Sequence, residues 1–156
     1  MPTLDAALIA EEDALWHDLS STIHAFTPEQ VLVSGYFREG WTAKDGLAHI
    51  GTWLAEAGAV LEQIRFGTYE ELPRDRIDGM NEEFLTAMRD MPLADVKAQA
   101  ASARSMMLHA WGALPANDPI AEDWIRKSGP DHYREHIPRL HEWLHELQDA
   151  AADADA

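Results

Sequence analysis

The sequence predicts an all-α fold, a four-helix bundle with one additional short helix. Three observations predict it. Apolar residues recur three and four apart over long stretches. No segment alternates apolar and polar residues as a half-buried strand does. Breakers containing Gly or Pro divide the chain into long pieces joined by short connections.

The first helix is expected from Thr3 to about His24. Leu4, Leu8, Leu15, Leu19 and Ile23 keep helical spacing there, and Asp5, Glu11, Glu12, Asp13 and Asp18 fall mainly on the other side. Thr27-Pro28 opens a loop, and Gly35 and Gly40 keep the chain irregular up to Trp41. The second helix has a start signal, with Thr42 as N-cap and Asp45 completing an approximate capping box. Its stripe is Leu47, Ile50, Leu54, Leu61 and Ile64, and it stops near Gly67. After a loop with Pro73, a third helix covers Asp78 to Asp90, with Phe84, Leu85 and Met88 inward, until Met91-Pro92 breaks it. The fourth runs from about Leu93 to Leu114 on Val96, Met106, Met107 and Trp111. Pro115 to Pro119 is a loop, and a short helix holds Ile120 to Lys127. Gly129-Pro130 introduces the last helix, Asp131 to about Gln148, where Pro138 is expected to produce a kink just after His136. Residues 1–148 therefore read as one domain, and the tail from Asp149, DAAADADA, reads as frayed.

Composition narrows the function. The chain has 156 residues, the size of a single domain, and its 46% hydrophobic and 26% charged content is ordinary for a globular protein. A net charge of −16 argues against nucleic acid and anionic membrane surfaces as partners. The absence of cysteine excludes disulfides, thiolate metal sites and a Cys nucleophile. The first basic residue is Arg38, and no apolar run approaches membrane-spanning length, so a soluble cytoplasmic protein is expected.

Eight histidines are the unusual feature. His132 and His136 lie four residues apart, one turn apart on one helical face, where two imidazoles can share a metal ion. A third ligand has to come from another helix, and His49 is best placed. At about 100° per residue, both helices put these histidines at the margin of their apolar stripe, where a cleft between bundle helices is lined. His49 shares its column with Trp53 and Glu56, but Glu56 lies roughly 10 Å further along the axis, too far for easy ligation beside His49. It is a candidate base or ligand-fixing group, and Trp53 a candidate ligand contact. Glu135 points away from the histidine pair, so the arrangement is not the HExxH zincin pattern. A second pair, His141 and His145, reads as surface, Arg134 as a solvated charge, and His17, His24 and His109 have no assigned role. Of the six tryptophans, Trp41, Trp53, Trp111 and Trp143 are candidates for an aromatic pocket.

The segment Trp41-Thr42-Ala43-Lys44-Asp45-Gly46-Leu47-Ala48-His49-Ile50, followed by Trp53 and Glu56, resembles the second-helix signature of the DinB/YfiT-like superfamily. His132-Tyr133-Arg134-Glu135-His136-Ile137-Pro138 resembles the last-helix motif of the same superfamily. The wording is most similar to its DfsB-like colibactin-resistance group and to the N-terminal bundle of mycothiol-dependent maleylpyruvate isomerase. The resemblance implies a four-helix bundle, often a homodimer, in which His49, His132 and His136 bind a divalent metal, zinc or nickel. It also implies a small-molecule substrate, with a low-molecular-weight thiol as a further cofactor in some members.

Three imidazoles leave a metal position open to water or substrate. Bound water or a bound thiol then loses its proton more readily. One expectation is therefore a metal-dependent enzyme, a hydrolase or thiol-dependent transferase acting on a small electrophile. The alternative is a non-catalytic bundle that binds or sequesters a small molecule. A third reading is a purely structural dimer.

Overall fold

In the computed structural model, which describes residues 5–37 and 40–156, helix is the only regular secondary structure among the described residues. Six α-helices follow in order: α1 (Ala6–His24), α2 (Ala43–Phe66), α3 (Arg74–Met88), α4 (Leu93–Gly112), α5 (Pro119–Ser128) and α6 (Pro130–Ala154). A single 3-10 turn, Gln30–Leu32, lies between α1 and α2. No helix among the described residues is long and apolar enough to cross a membrane.

Local chemistry sets most of the ends. Asp5 caps α1 by accepting the amides of Ala7 and Leu8, so this carboxylate starts the helix rather than decorating its outer face. Thr3 and Leu4 lie outside the described residues. At α2, Oγ1 of Thr42 accepts the Asp45 amide and Oδ2 of Asp45 accepts the Thr42 amide, both at 3.0 Å, which is the capping box expected there. The helix ends where Gly67 takes φ +73°, a left-handed conformation that glycine adopts without steric cost. Asp118 caps α5 through the amides of Ile120 and Ala121.

Three further expectations are corrected. The third helix begins at Arg74, directly after Pro73, a turn earlier than expected, and ends at Met88. Its open C-terminal end is closed from a distance: buried Lys44 donates Nζ to the carbonyls of Arg89 and Met91, each at 2.8 Å. Met106 is 68% exposed, and α4 turns Val96, Ala100, Ala103, Met107, Ala110 and Trp111 inward instead. The small alanines, not Met106, complete the inner face with Met107. The stretch from Asp149 is helical to Ala154, because α6 runs on through an alanine-rich end that has strong helix propensity. That end is exposed throughout. The last helix also passes through Pro138 without interruption.

The core is built around α2, which packs most extensively against α4 and also touches α3, α5 and α6. Small residues permit the α2–α4 approach. A Cβ on Gly51 would stand 3.0 Å from the Ala100 Cβ, and one on Gly58 would meet the backbone of Met107 at 3.5 Å. Meanwhile α1 lies against α6, and α5 is wedged between α2 and α6. Only Gly129 separates α5 from α6, so the chain turns sharply just before His132. This turn places the first turn of α6 beside the α2 segment that carries His49.

Candidate metal centre

His49 projects from the second turn of α2, and His132 and His136 from the first two turns of α6. The three side chains converge, with their ligand nitrogens all within 4.8 Å of one another. The ring centroids of His49 and His132 are 4.9 Å apart, and those of His49 and His136 are 5.7 Å apart. On α6 the two Nε2 atoms are 3.2 Å apart. Two nitrogens bound to one tetrahedral zinc ion lie about 3.3 Å apart, so this pair already has a spacing such an ion accepts. His132 and His136 are buried, and His49 is half-buried at the edge of the cluster.

The surroundings keep the two α6 rings neutral. Burial, reinforced by the neighbouring His136 and His49, holds His132 well below its ordinary pKa. Burial alone pushes His136 down to about 4. At neutral pH both imidazoles therefore present lone pairs rather than charge, the state in which histidine ligates a cation.

Neighbouring groups hold the rings in place. The Tyr36 hydroxyl is 2.5 Å from Nδ1 of His136. Burial pushes the Tyr36 phenol well above its usual range, so this partner stays neutral. When Nδ1–H of His136 donates to that oxygen, Nε2 turns its lone pair to the cluster. His132 makes a backbone hydrogen bond with Ser128, the last residue of α5. Tyr36 reaches His136 because α2 has no side chain in its path: a Cβ on Gly46 would stand 2.6 Å from Cε1 of the tyrosine ring. Arg139 completes the support, donating Nε to the Tyr36 carbonyl at 2.7 Å and Nη2 to the Gly35 carbonyl at 3.2 Å. Aromatic rings pack around the cluster, with Trp41 edge-on to His49 and Phe37 edge-on to His136.

Beside the histidines lies a cavity of about 810 Å³. His49 and His132 form part of its wall, and Trp53, Tyr69, Asn81 and Trp124 form another part. Nε1 of Trp53 donates to Oδ1 of Asn81 at 2.7 Å, and Nε1 of Trp124 donates to the Tyr69 hydroxyl at 3.3 Å.

The structure thus brings His49, His132, His136 and Trp53 together. It leaves Glu56 two turns further along α2, half-buried and not in the cavity wall. Arg134 is half-exposed and pairs with Glu11 and Asp131. His141 and His145 are exposed, His141 within 3.3 Å of the Thr22 hydroxyl. Trp111 is a core residue, and Trp143 packs against Gly35 and Arg139. Sequence reasoning passed over Tyr36, Tyr69, Asn81 and Trp124. A signal for Tyr36 exists: aromatic residues at 36 and 37 inside a glycine-bearing loop are out of place unless the loop packs inward. Nothing local marks the other three, which lie on different elements and meet only in the folded chain.

No family model matches the chain, and no curated protein does. A crystal structure of an uncharacterised protein from Escherichia coli UTI89 is similar in fold, with a TM-score of 0.78 at 13% sequence identity. The match covers 95% of this chain and 96% of that one.

Proposed function

We propose that the protein is a metal-dependent enzyme of the DinB/YfiT-like type, with α1, α2, α4 and α6 as its four bundle helices. His49, His132 and His136 would hold a divalent metal, zinc or nickel. The observation that carries this reading is the convergence of three imidazoles, two of them buried, at the wall of a ligand-sized cavity. A metal held there would supply a position at which water or a small thiol loses its proton near neutral pH. The reaction class is hydrolysis or thiol-dependent transfer on a small electrophile.

The chain's own residues have definite tasks in this reading. Tyr36 and the Ser128 backbone orient the rings of His136 and His132. Trp41 and Phe37 pack edge-on against His49 and His136 and limit the movement of those rings. Trp53 contributes a face against which a bound molecule can rest. Glu56 would act only as a remote base.

The test is the metal content of protein purified without a histidine tag, beside the variant His132→Ala/His136→Ala. About one equivalent of zinc or nickel in the parent and none in the variant is the expected result. Hydrolysis and thiol transfer are then screened with the loaded protein, His49→Ala and Glu56→Gln. A parent that takes up no metal even on reconstitution refutes the proposal. The second reading, a non-catalytic small-molecule-binding bundle, is favoured by the cavity's size. Ligand binding that survives His49→Ala without any turnover would select it.

A further inference from the structure

The cavity wall carries more information than its volume. Two indole rings, Trp53 and Trp124, stand in it with centroids 6.4 Å apart and planes 31° apart. Both indole N–H groups are already spent, on Asn81 and Tyr69. What the indoles still offer is therefore ring surface. Leu72, Ile77 and Ile120 add aliphatic surface from the loop after α2, from α3 and from α5.

Two uncharged polar side chains in this wall, Asn81 and Tyr69, offer donors. Trp53 can only donate, so the Asn81 oxygen faces it and the amide NH2 is the end left over. That NH2 has no hydrogen-bond partner among the described residues. The Tyr69 oxygen accepts from Trp124, which leaves the Tyr69 O–H to donate. The charged groups point the same way. Among the described residues Lys127 is the cation in the wall, and Asp123 neutralises it at 2.7 Å. Glu71 adds a carboxylate, and the whole chain carries −16. Away from the histidines, no described residue of the cavity wall offers an unpaired cation to an anion.

We infer that the cavity takes an uncharged, flat, mainly apolar molecule about two fused rings in size, bearing a hydrogen-bond acceptor such as a carbonyl. Its ring system lies against Trp53 and Trp124, and its acceptor takes the free donors of Asn81 and Tyr69. The inference rests on the proposed function, since it treats the cavity as the space from which the three-histidine centre is reached. It adds the substrate class, which excludes carboxylated and phosphorylated metabolites.

Calorimetric titration of the metal-free protein tests it with three matched probes. These are 2-acetylnaphthalene, 2-isopropylnaphthalene, which lacks the acceptor, and 2-naphthoate, which carries a charge. Without metal the carboxylate has no ion to bind. Acetylnaphthalene is expected to bind at least roughly tenfold more tightly than naphthoate and several-fold more tightly than isopropylnaphthalene. Trp124→Ala is expected to weaken it by roughly tenfold. Ile120→Glu, at a rim position already 48% exposed, is expected to weaken it several-fold and keeps the test decisive if the tryptophan variant does not fold. Tyr69→Phe should narrow the preference for acetylnaphthalene over isopropylnaphthalene. Naphthoate binding as tightly as acetylnaphthalene overturns the inference, as does unchanged affinity in Ile120→Glu. Zinc uptake is measured on the same preparation. Zinc bound without naphthyl binding overturns the substrate class alone and leaves the metal reading intact. Acetylnaphthalene bound with the expected preferences, but with no zinc uptake, supports the cavity's ligand class and overturns the metal reading.

Discussion

His132 and Tyr133 are neighbours on α6, yet they face two different buried polar sites. Tyr133 donates its hydroxyl to Oε1 of Glu12, a carboxylate with no exposed surface. Arg104 of α4 donates to both oxygens of the same carboxylate, Nε and Nη2 each at 2.7 Å. Glu12 raises the pKa of Arg104, and burial beside Glu12 keeps the Tyr133 hydroxyl protonated. Every charge in that junction of α1, α4 and α6 is answered by the protein itself. The histidine cluster is the opposite case. Its three rings bring their nitrogens together at the wall of a cavity, and the partner of His136 is the neutral hydroxyl of Tyr36. One site lies between helices and pairs a carboxylate with a guanidinium. The other gathers imidazoles at a cavity wall. Burying polar groups has a cost in both.

This contrast can be broken at either end. The largest effect is expected from His132→Ala/His136→Ala, which should lose all bound metal by elemental analysis while remaining helical by circular dichroism. Glu12→Ala should do the reverse. It leaves the Arg104 guanidinium without its buried partner and should cost about 3–5 kcal/mol in urea denaturation, with the metal stoichiometry of the folded fraction unchanged. Zinc at one hundred times its Kd should stabilise the parent against urea by about 2.7 kcal/mol. The same addition should leave the double histidine variant where it was. Tyr36→Phe sharpens the comparison most finely. It should weaken zinc binding by about ten- to hundredfold in a chelator competition and shift the unfolding midpoint of the metal-free protein little. A Tyr36→Phe protein with parental zinc affinity would reduce that tyrosine to a packing residue.

Much of this architecture is legible without coordinates, because helix signals act within a turn or two. The Thr42–Asp45 box, the Gly67 stop and the four-residue spacing of His132 and His136 are local features, and each appears in the structure as read. Errors arose where a distant element decides. Met106 satisfies the apolar period of α4 as well as Met107 does, and only the approach of α2 selects one of them. The start of α3 at Arg74 carries no capping side chain to announce it. Glu12 reads as an outward acid, since its burial depends on Arg104 and Tyr133, which lie 92 and 121 residues away.

By itself, then, the sequence determined an all-helical chain, the capped start and glycine stop of α2 and the shared face of the α6 histidines. These follow from hydrogen bonds and periodicity that span only a few residues. Tertiary structure decided the rest: that His49 meets that face, that Tyr36 reaches His136 across 100 residues, and that Trp53, Tyr69, Asn81 and Trp124 enclose one cavity. Burial and neutralisation depend on groups that are close in space and far apart in the chain, and no local pattern encodes that proximity.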